Sequence, residues 1–216
     1  MSFSRRTMKR TDYFYRDHIK ERTKVHGGAR MNIIAVCGMP GCGKGEFAEI
    51  AKEMGSPVYS MGDVVRFYFK ENFPGRDLIE TGIYADMERK KYGQDVWARR
   101  LIEMVEAKLE PGDDLLLIDG LRSKQEKELF GSRWGTNFRV LAIHSSPETR
   151  FMRIKARGRG DDTLDRKVFD QRDARELGWG LGEVIALADI IAVNEGGLDD
   201  FRSSVKGLLQ NEVAGR

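Results

Sequence analysis

Cysteine and histidine are scarce in this 216-residue chain, with two of the first (Cys37, Cys42) and three of the second (His18, His26, His144). Two cysteines exclude a disulfide framework and an all-cysteine zinc site, and the histidines have no metal-ligand spacing. No apolar run approaches the ~20 residues that a bilayer crossing needs, so no membrane partner is expected. The N-terminus carries charges but no apolar core segment, which argues against a secretory signal and for a cytoplasmic protein. Internal repeats and low-complexity stretches are also missing. What remains is 40% apolar and 33% charged, too apolar for a disordered chain and long enough for one core without a staple.

The net charge is only +3, but it is unevenly spread. Residues 1–30 hold nine basic side chains (Arg5, Arg6, Lys9, Arg10, Arg16, Lys20, Arg22, Lys24, Arg30) against Asp12, Asp17 and Glu21, leaving a net acidic remainder. Tyr13, Phe14 and Tyr15 interrupt the positive run, so this arm is either a nucleic-acid contact with stacking residues or a solvated extension.

Past Gly27-Gly28 the punctuation becomes regular. Ile33–Cys37, Leu115–Ile118, Val140–Ile143 and Ile190–Val193 read as strands apolar on both faces, with Val58-Tyr59 a weaker fifth. Between them lie helical stretches. Trp97, Leu101, Met104, Val105 and Leu109 share a stripe that Pro111-Gly112 closes, and Ser146-Pro147-Glu148 supplies a cap, a first-turn proline and a first-turn acid. A last helix follows Gly196-Gly197, turning Phe201, Val205, Leu208 and Leu209 inward. The alternation predicts a three-layer α/β domain with a parallel sheet over residues 31–216.

The sharpest motif is Gly38-Met39-Pro40-Gly41-Cys42-Gly43-Lys44-Gly45. It fits Gly-x4-Gly-Lys between a strand and a helix-compatible run, with Gly45 where a Ser or Thr is usual. Glycines let successive backbone N–H groups converge on a polyphosphate, the helix N-terminus adds partial positive charge, and Lys44 brings a mobile point charge to the β- and γ-phosphates.

This run resembles the phosphate loop of adenylate kinases and related nucleotide kinases, with Glu46 at the position where their Lys-Gly-Thr ends. Ser60-Met61-Gly62-Asp63-Val64-Val65-Arg66 resembles the segment that opens their acceptor region. Ile118-Asp119-Gly120-Leu121-Arg122 resembles their Asp-Gly-x-x-Arg stretch, with the arginine one residue earlier. Ser145–Arg159, Arg172–Glu176 and Ala188–Gly196 are similar to a largely archaeal group of adenylate-kinase-related, dephospho-CoA-kinase-like proteins.

The resemblance implies a doubly wound P-loop kinase sheet with an acceptor-binding insert and a lid. It also implies ATP and Mg²⁺ as cofactors and γ-phosphoryl transfer to a small phosphorylated acceptor, such as a nucleoside monophosphate. A dephospho-CoA-type kinase is one alternative, and an ATPase switch acting on RNA through the basic arm is another. Arg66 would hold the acceptor's phosphate with Arg122 across from it. Asp119, at a strand's carboxyl end, would hold Mg²⁺ or cap the next turn. Asp63 would orient an acceptor hydroxyl or cap the helix beginning at Val64, and Glu46 would bind Mg²⁺ or simply sit in the first helical turn. Arg150, Arg153 and Arg157 share a helix face that ends at Gly158-Arg159-Gly160, and Arg172 and Arg175 return from the next helix, the pattern of a lid closing over phosphates. Asn194 lies in the loop that would contact the donor base. Cys37 and the tryptophans read as packing residues.

Overall fold

A computed structural model describes residues 31–76, 81–106, 114–158 and 165–214. Five strands form one all-parallel sheet: β1 (Asn32–Cys37), β2 (Val58–Ser60), β3 (Leu115–Asp119), β4 (Phe138–His144) and β5 (Ile190–Val193), in the order β2-β3-β1-β4-β5. The helices are α1 (Lys44–Glu53), α2 (Met61–Asn72), α3 (Thr81–Tyr92), α4 (Val96–Glu106), α5 (Lys124–Trp134), α6 (Pro147–Arg157), α7 (Arg166–Gly178), α8 (Leu181–Ala186) and α9 (Leu198–Ala214).

Strand side chains alternate between the two faces, and so does the core. Ile33, Ala35, Leu116, Ile118 and Val140 join a cluster with Val64, Trp97, Leu101 and Phe130 of α2, α4 and α5. Ile34, Val36, Leu117, Leu141 and Ile143 join the opposite cluster, under Phe47 and Ile50 of α1 and Phe201, Val205 and Leu209 of α9. Fully burying each such side chain is worth about 1.5–3 kcal/mol, which is why the continuous apolar runs stay in the middle of three layers. The three-layer α/β expectation is therefore correct.

Two local expectations need correction. Ile190–Val193 is not apolar-covered on both faces: β5 is the last strand of the sheet, and Ile191 and Val193 are 58% and 66% exposed. Asp63 does not cap a helix at Val64, because α2 begins at Met61 with Ser60 at its N-cap and Asp63 lies inside the first turn. Ser146 caps α6 as expected, Pro147 opens it, and Gly158 closes it in a left-handed conformation. The Leu109 end of the α4 stripe and Arg159-Gly160 at the end of the basic face lie outside the described residues.

The sheet order positions the site. The chain leaves β1 for the edge strand β2, returns to β3 beside β1, then crosses to β4 on β1's other side. That reversal opens a crevice at the carboxyl ends of the central strands, the place where open α/β sheets hold ligands.

Candidate functional site

The loop between β1 and α1 opens into this crevice. Gly41 and Gly43 have φ of 83° and 112°, and a Cβ at Gly43 would lie 2.4 Å from the Asn194 side chain, so only glycine fits there. Lys44 Nζ donates to the Gly38 carbonyl at 2.5 Å and the Met39 carbonyl at 3.3 Å, which holds the ammonium along the loop. Met39 packs on the first core cluster, and Cys42 is wholly buried beneath the loop. Burial pushes the Cys37 thiol up to about 12, which makes it an inert packing group.

Lys44 lines a cavity of about 460 Å³ together with Pro40, Gly41, Gly43, Gly45 and Glu46. A further part of the lining comes from the end of β3, the strand next to β1, with Asp119, Gly120, Leu121 and Arg122. Arg153 and Arg157 of α6, and Arg172 and Glu176 of α7, add charged groups to the same cavity, and Asn194, Leu198 and Phe201 close it on the β5 side. Four elements thus bring Lys44 and four arginines around one space, the cationic surround that a polyphosphate requires.

Asp119 ends β3 with its Oδ1 buried and, among the described residues, without a hydrogen-bond partner. An orphaned carboxylate oxygen on a polyphosphate-sized cavity fits a hard cation such as Mg²⁺, which takes one or two carboxylates and completes its shell with water and phosphate. Among the described residues no three His, Cys, Asp or Glu side chains gather into a protein-only metal cage. Glu46 fits a metal less well. It lies in the first turn of α1, and Arg202 of α9 pairs with it while also gripping Glu53 at 2.7 Å.

Other predicted residues fall into three groups. Arg122 donates to Glu176 Oε1 at 2.8 Å and stacks 5.3 Å from the Trp179 ring, and its backbone N–H is fixed by Glu126 within the capping box of α5. Arg153 donates to the Asn194 carbonyl, to Asn194 Oδ1 and to the Gly196 carbonyl, so it braces the loop after β5. Asn194 in turn donates to the Cys42 carbonyl at 2.9 Å, tying that loop to the phosphate loop. By contrast, Arg66 pairs with Asp63 one turn away, both side chains are well exposed, and neither lines the cavity. Arg175 sits in the last turn of α7 and does not line it either. Arg159 and the basic arm of residues 1–30 lie outside the described residues.

Sequence reasoning missed Glu176 as the partner of Arg122, and Leu198 and Phe201 as cavity walls. It also placed Arg150 on the lid's phosphate face, whereas the side chain is buried behind the loop.

Comparison with known proteins agrees with this architecture. A family model described as AAA domain matches residues 34–176. A UPF0200 protein of Thermoplasma volcanium is 42% identical over 177 residues, covering 82% of this chain and 96% of its own. One of Methanopyrus kandleri is 42% identical over 185 residues, covering 85% and 91%. Among solved structures, TT1252 from Thermus thermophilus is similar with a TM-score of 0.55 at 21% identity, over 84% of this chain and 98% of that one. Shikimate kinase from Acinetobacter baumannii, solved with shikimate, gives a TM-score of 0.52 at 13% identity, over 86% and 95%. At these identities the structural neighbours establish the fold, a P-loop kinase-like sheet.

Proposed function

The chain belongs to the UPF0200 family, and from that premise we propose that it is an ATP- and Mg²⁺-dependent phosphotransferase acting on a small phosphorylated acceptor, such as a nucleoside monophosphate, in the cytoplasm. One observation carries the reading: Lys44, Arg122, Arg153, Arg157, Arg172 and Asp119, whose buried Oδ1 has no partner among the described residues, converge on a single cavity beside a phosphate loop.

Phosphoryl transfer asks for positioning and charge neutralisation more than for covalent help. The amides of residues 41–45 and the N-terminus of α1 would cradle the β- and γ-phosphates, with Lys44 swinging from its loop carbonyls onto their oxygens. Arg122, Arg157 and Arg172 would surround the group in transit, and Arg159 would follow from the lid. Mg²⁺ would be held by Asp119 and would neutralise phosphate charge. The Asn194 loop, braced by Arg153, would contact the donor base. On the acceptor side Arg66 would exchange its exposed contact with Asp63 for the acceptor's phosphate, and Arg175 would approach from α7. The exposed Asp63–Arg66 pair costs little to break, since surface pairs of this kind are worth roughly 0–1 kcal/mol.

The test is a screen of acceptors with ATP–Mg²⁺, following ADP release, across nucleoside monophosphates and dephospho-CoA. At least one acceptor should raise turnover clearly above basal hydrolysis. If none does, the phosphotransferase reading fails. In the same screen an RNA that raises turnover, and does so only with residues 1–30 present, would move the assignment to an RNA-dependent ATPase.

A further inference from the structure

We infer that Arg150 is a positioning residue for nucleotide binding: a buried clamp behind the phosphate loop that sets the loop's amides and anchors them to the returning lid helix α7. The inference rests on the nucleotide-binding reading above and adds a residue to it.

Arg150 is only 3% exposed, unusual for an arginine on a helix whose other basic residues face the cavity or solvent. A guanidinium is buried at a large desolvation cost unless its donors are satisfied, so where its hydrogen bonds go is informative. Its Nε donates to the Ser145 carbonyl at 3.2 Å, at the end of β4. Its Nη1 donates to the Pro40 carbonyl at 3.0 Å, and Nη1 and Nη2 grip the two oxygens of Asp173 on α7 at 2.9 and 2.5 Å. The Phe169 ring, also on α7, lies 5.0 Å from the guanidinium carbon. Strand end, phosphate loop and lid helix meet on one side chain.

The Pro40 contact has a direct consequence. A trans peptide points its C=O and the following N–H in opposite directions. With the Pro40 carbonyl drawn toward Arg150, the Gly41 N–H is turned to the other side of the loop. Pro40 and Gly41 line the cavity and Arg150 does not, so that other side is where a phosphate would sit. Asn194 treats the next carbonyl but one in the same way, holding Cys42 O and so turning the Gly43 N–H. The backbone of Arg150 also supports the loop from below, since a Cβ at Gly41 would lie 2.9 Å from its carbonyl oxygen. Through Asp173, whose neighbour Arg172 lines the cavity, the position of α7 is tied to the orientation of the cradle. Nucleotide affinity therefore depends on a side chain that never touches the nucleotide.

Equilibrium titration of the full chain with ADP, and separately with inorganic pyrophosphate, tests this on wild type, Arg150→Lys and Asp173→Asn. Lysine keeps the charge but loses the fork, so ADP affinity should fall by about tenfold or more, the loss of one charge-assisted hydrogen bond. Asp173→Asn keeps the shape and loosens the grip, and should weaken ADP by about threefold or more. Pyrophosphate, which has no base or ribose, should lose affinity by the same factors. A role in stability alone would lower the melting temperature and leave both affinities unchanged, and that result overturns the clamp. If Arg150→Lys does not fold, Asp173→Asn decides. Wild type that binds neither ADP nor pyrophosphate overturns the nucleotide reading itself, whereas normal wild-type binding with unaffected variants overturns only the clamp.

Discussion

Gly45 stands where a hydroxyl ligand is usual in a phosphate loop, and its surroundings make it testable. Among the described residues a Cβ added there meets nothing within 4 Å, its backbone is helical, and it lines the cavity. Gly45→Ser should therefore fold, with a helix-propensity gain of a few tenths of a kcal/mol. Its hydroxyl should add an oxygen to the cavity that Asp119 also lines, so half-maximal binding of ADP should need less Mg²⁺ than in wild type. A metal titration that shows no shift would place the cation away from Gly45. At this scale the phosphate loop was readable because its glycines are demanded by backbone geometry, and geometry leaves a spacing in the sequence. Glu46 and Arg150 were not so readable. The partner of Glu46 is Arg202, more than 150 positions away, and the i, i+3 spacing that grouped Arg150 with Arg153 cannot tell a buried edge of a stripe from its wet centre.

Among elements, α6 carries both the clamp and a pH-sensitive staple. Glu195, in the loop after β5, accepts from Thr149 Oγ1 and from the backbone and side chain of Ser146 at the N-terminus of α6. The Thr149 hydroxyl first, then the Ser146 N–H, hold its carboxyl below the usual glutamate value of 4.5. A carboxyl whose folded pKa is depressed stabilises the fold above its unfolded pKa, and that contribution is lost as pH falls through the folded pKa. Glu195→Gln should thus melt below wild type at pH 7, with the gap closing as the pH is lowered through and beneath 4.5. A gap that is constant with pH would assign the contact to neutral hydrogen bonding alone. Capping chemistry made the start of α6 legible, since Ser146 and Pro147 act on their own helix end. The exposure of Ile191 and Val193 on β5 was not legible, because an edge strand and a central strand can share one apolar run and differ only in what lies beside them.

For the molecule as a whole, the two layers of helices both reach the cavity at one end of the sheet, so a nucleotide held there should be felt globally. α1 and α9 lie on one face, α2, α4, α5 and α8 on the other, and the cavity takes residues from the loops joining both sets. A ligand that binds only the folded chain stabilises it by mass action, about 2.7 kcal/mol at one hundred times its Kd. For a domain of this size each kcal/mol raises Tm by roughly 2–4 °C, so saturating ADP with Mg²⁺ should raise it by about 5–10 °C. Deleting residues 1–30 should leave that shift intact, because among the described residues every one that lines the cavity lies from Gly38 onward. Lys44→Ala should fold and lose most of the shift, since among the described residues its Nζ bonds only to nearby loop atoms while the core beneath is apolar. A shift in the variant equal to that of wild type would mean that ADP binds elsewhere, and the phosphate loop would then have to be removed from the mechanism.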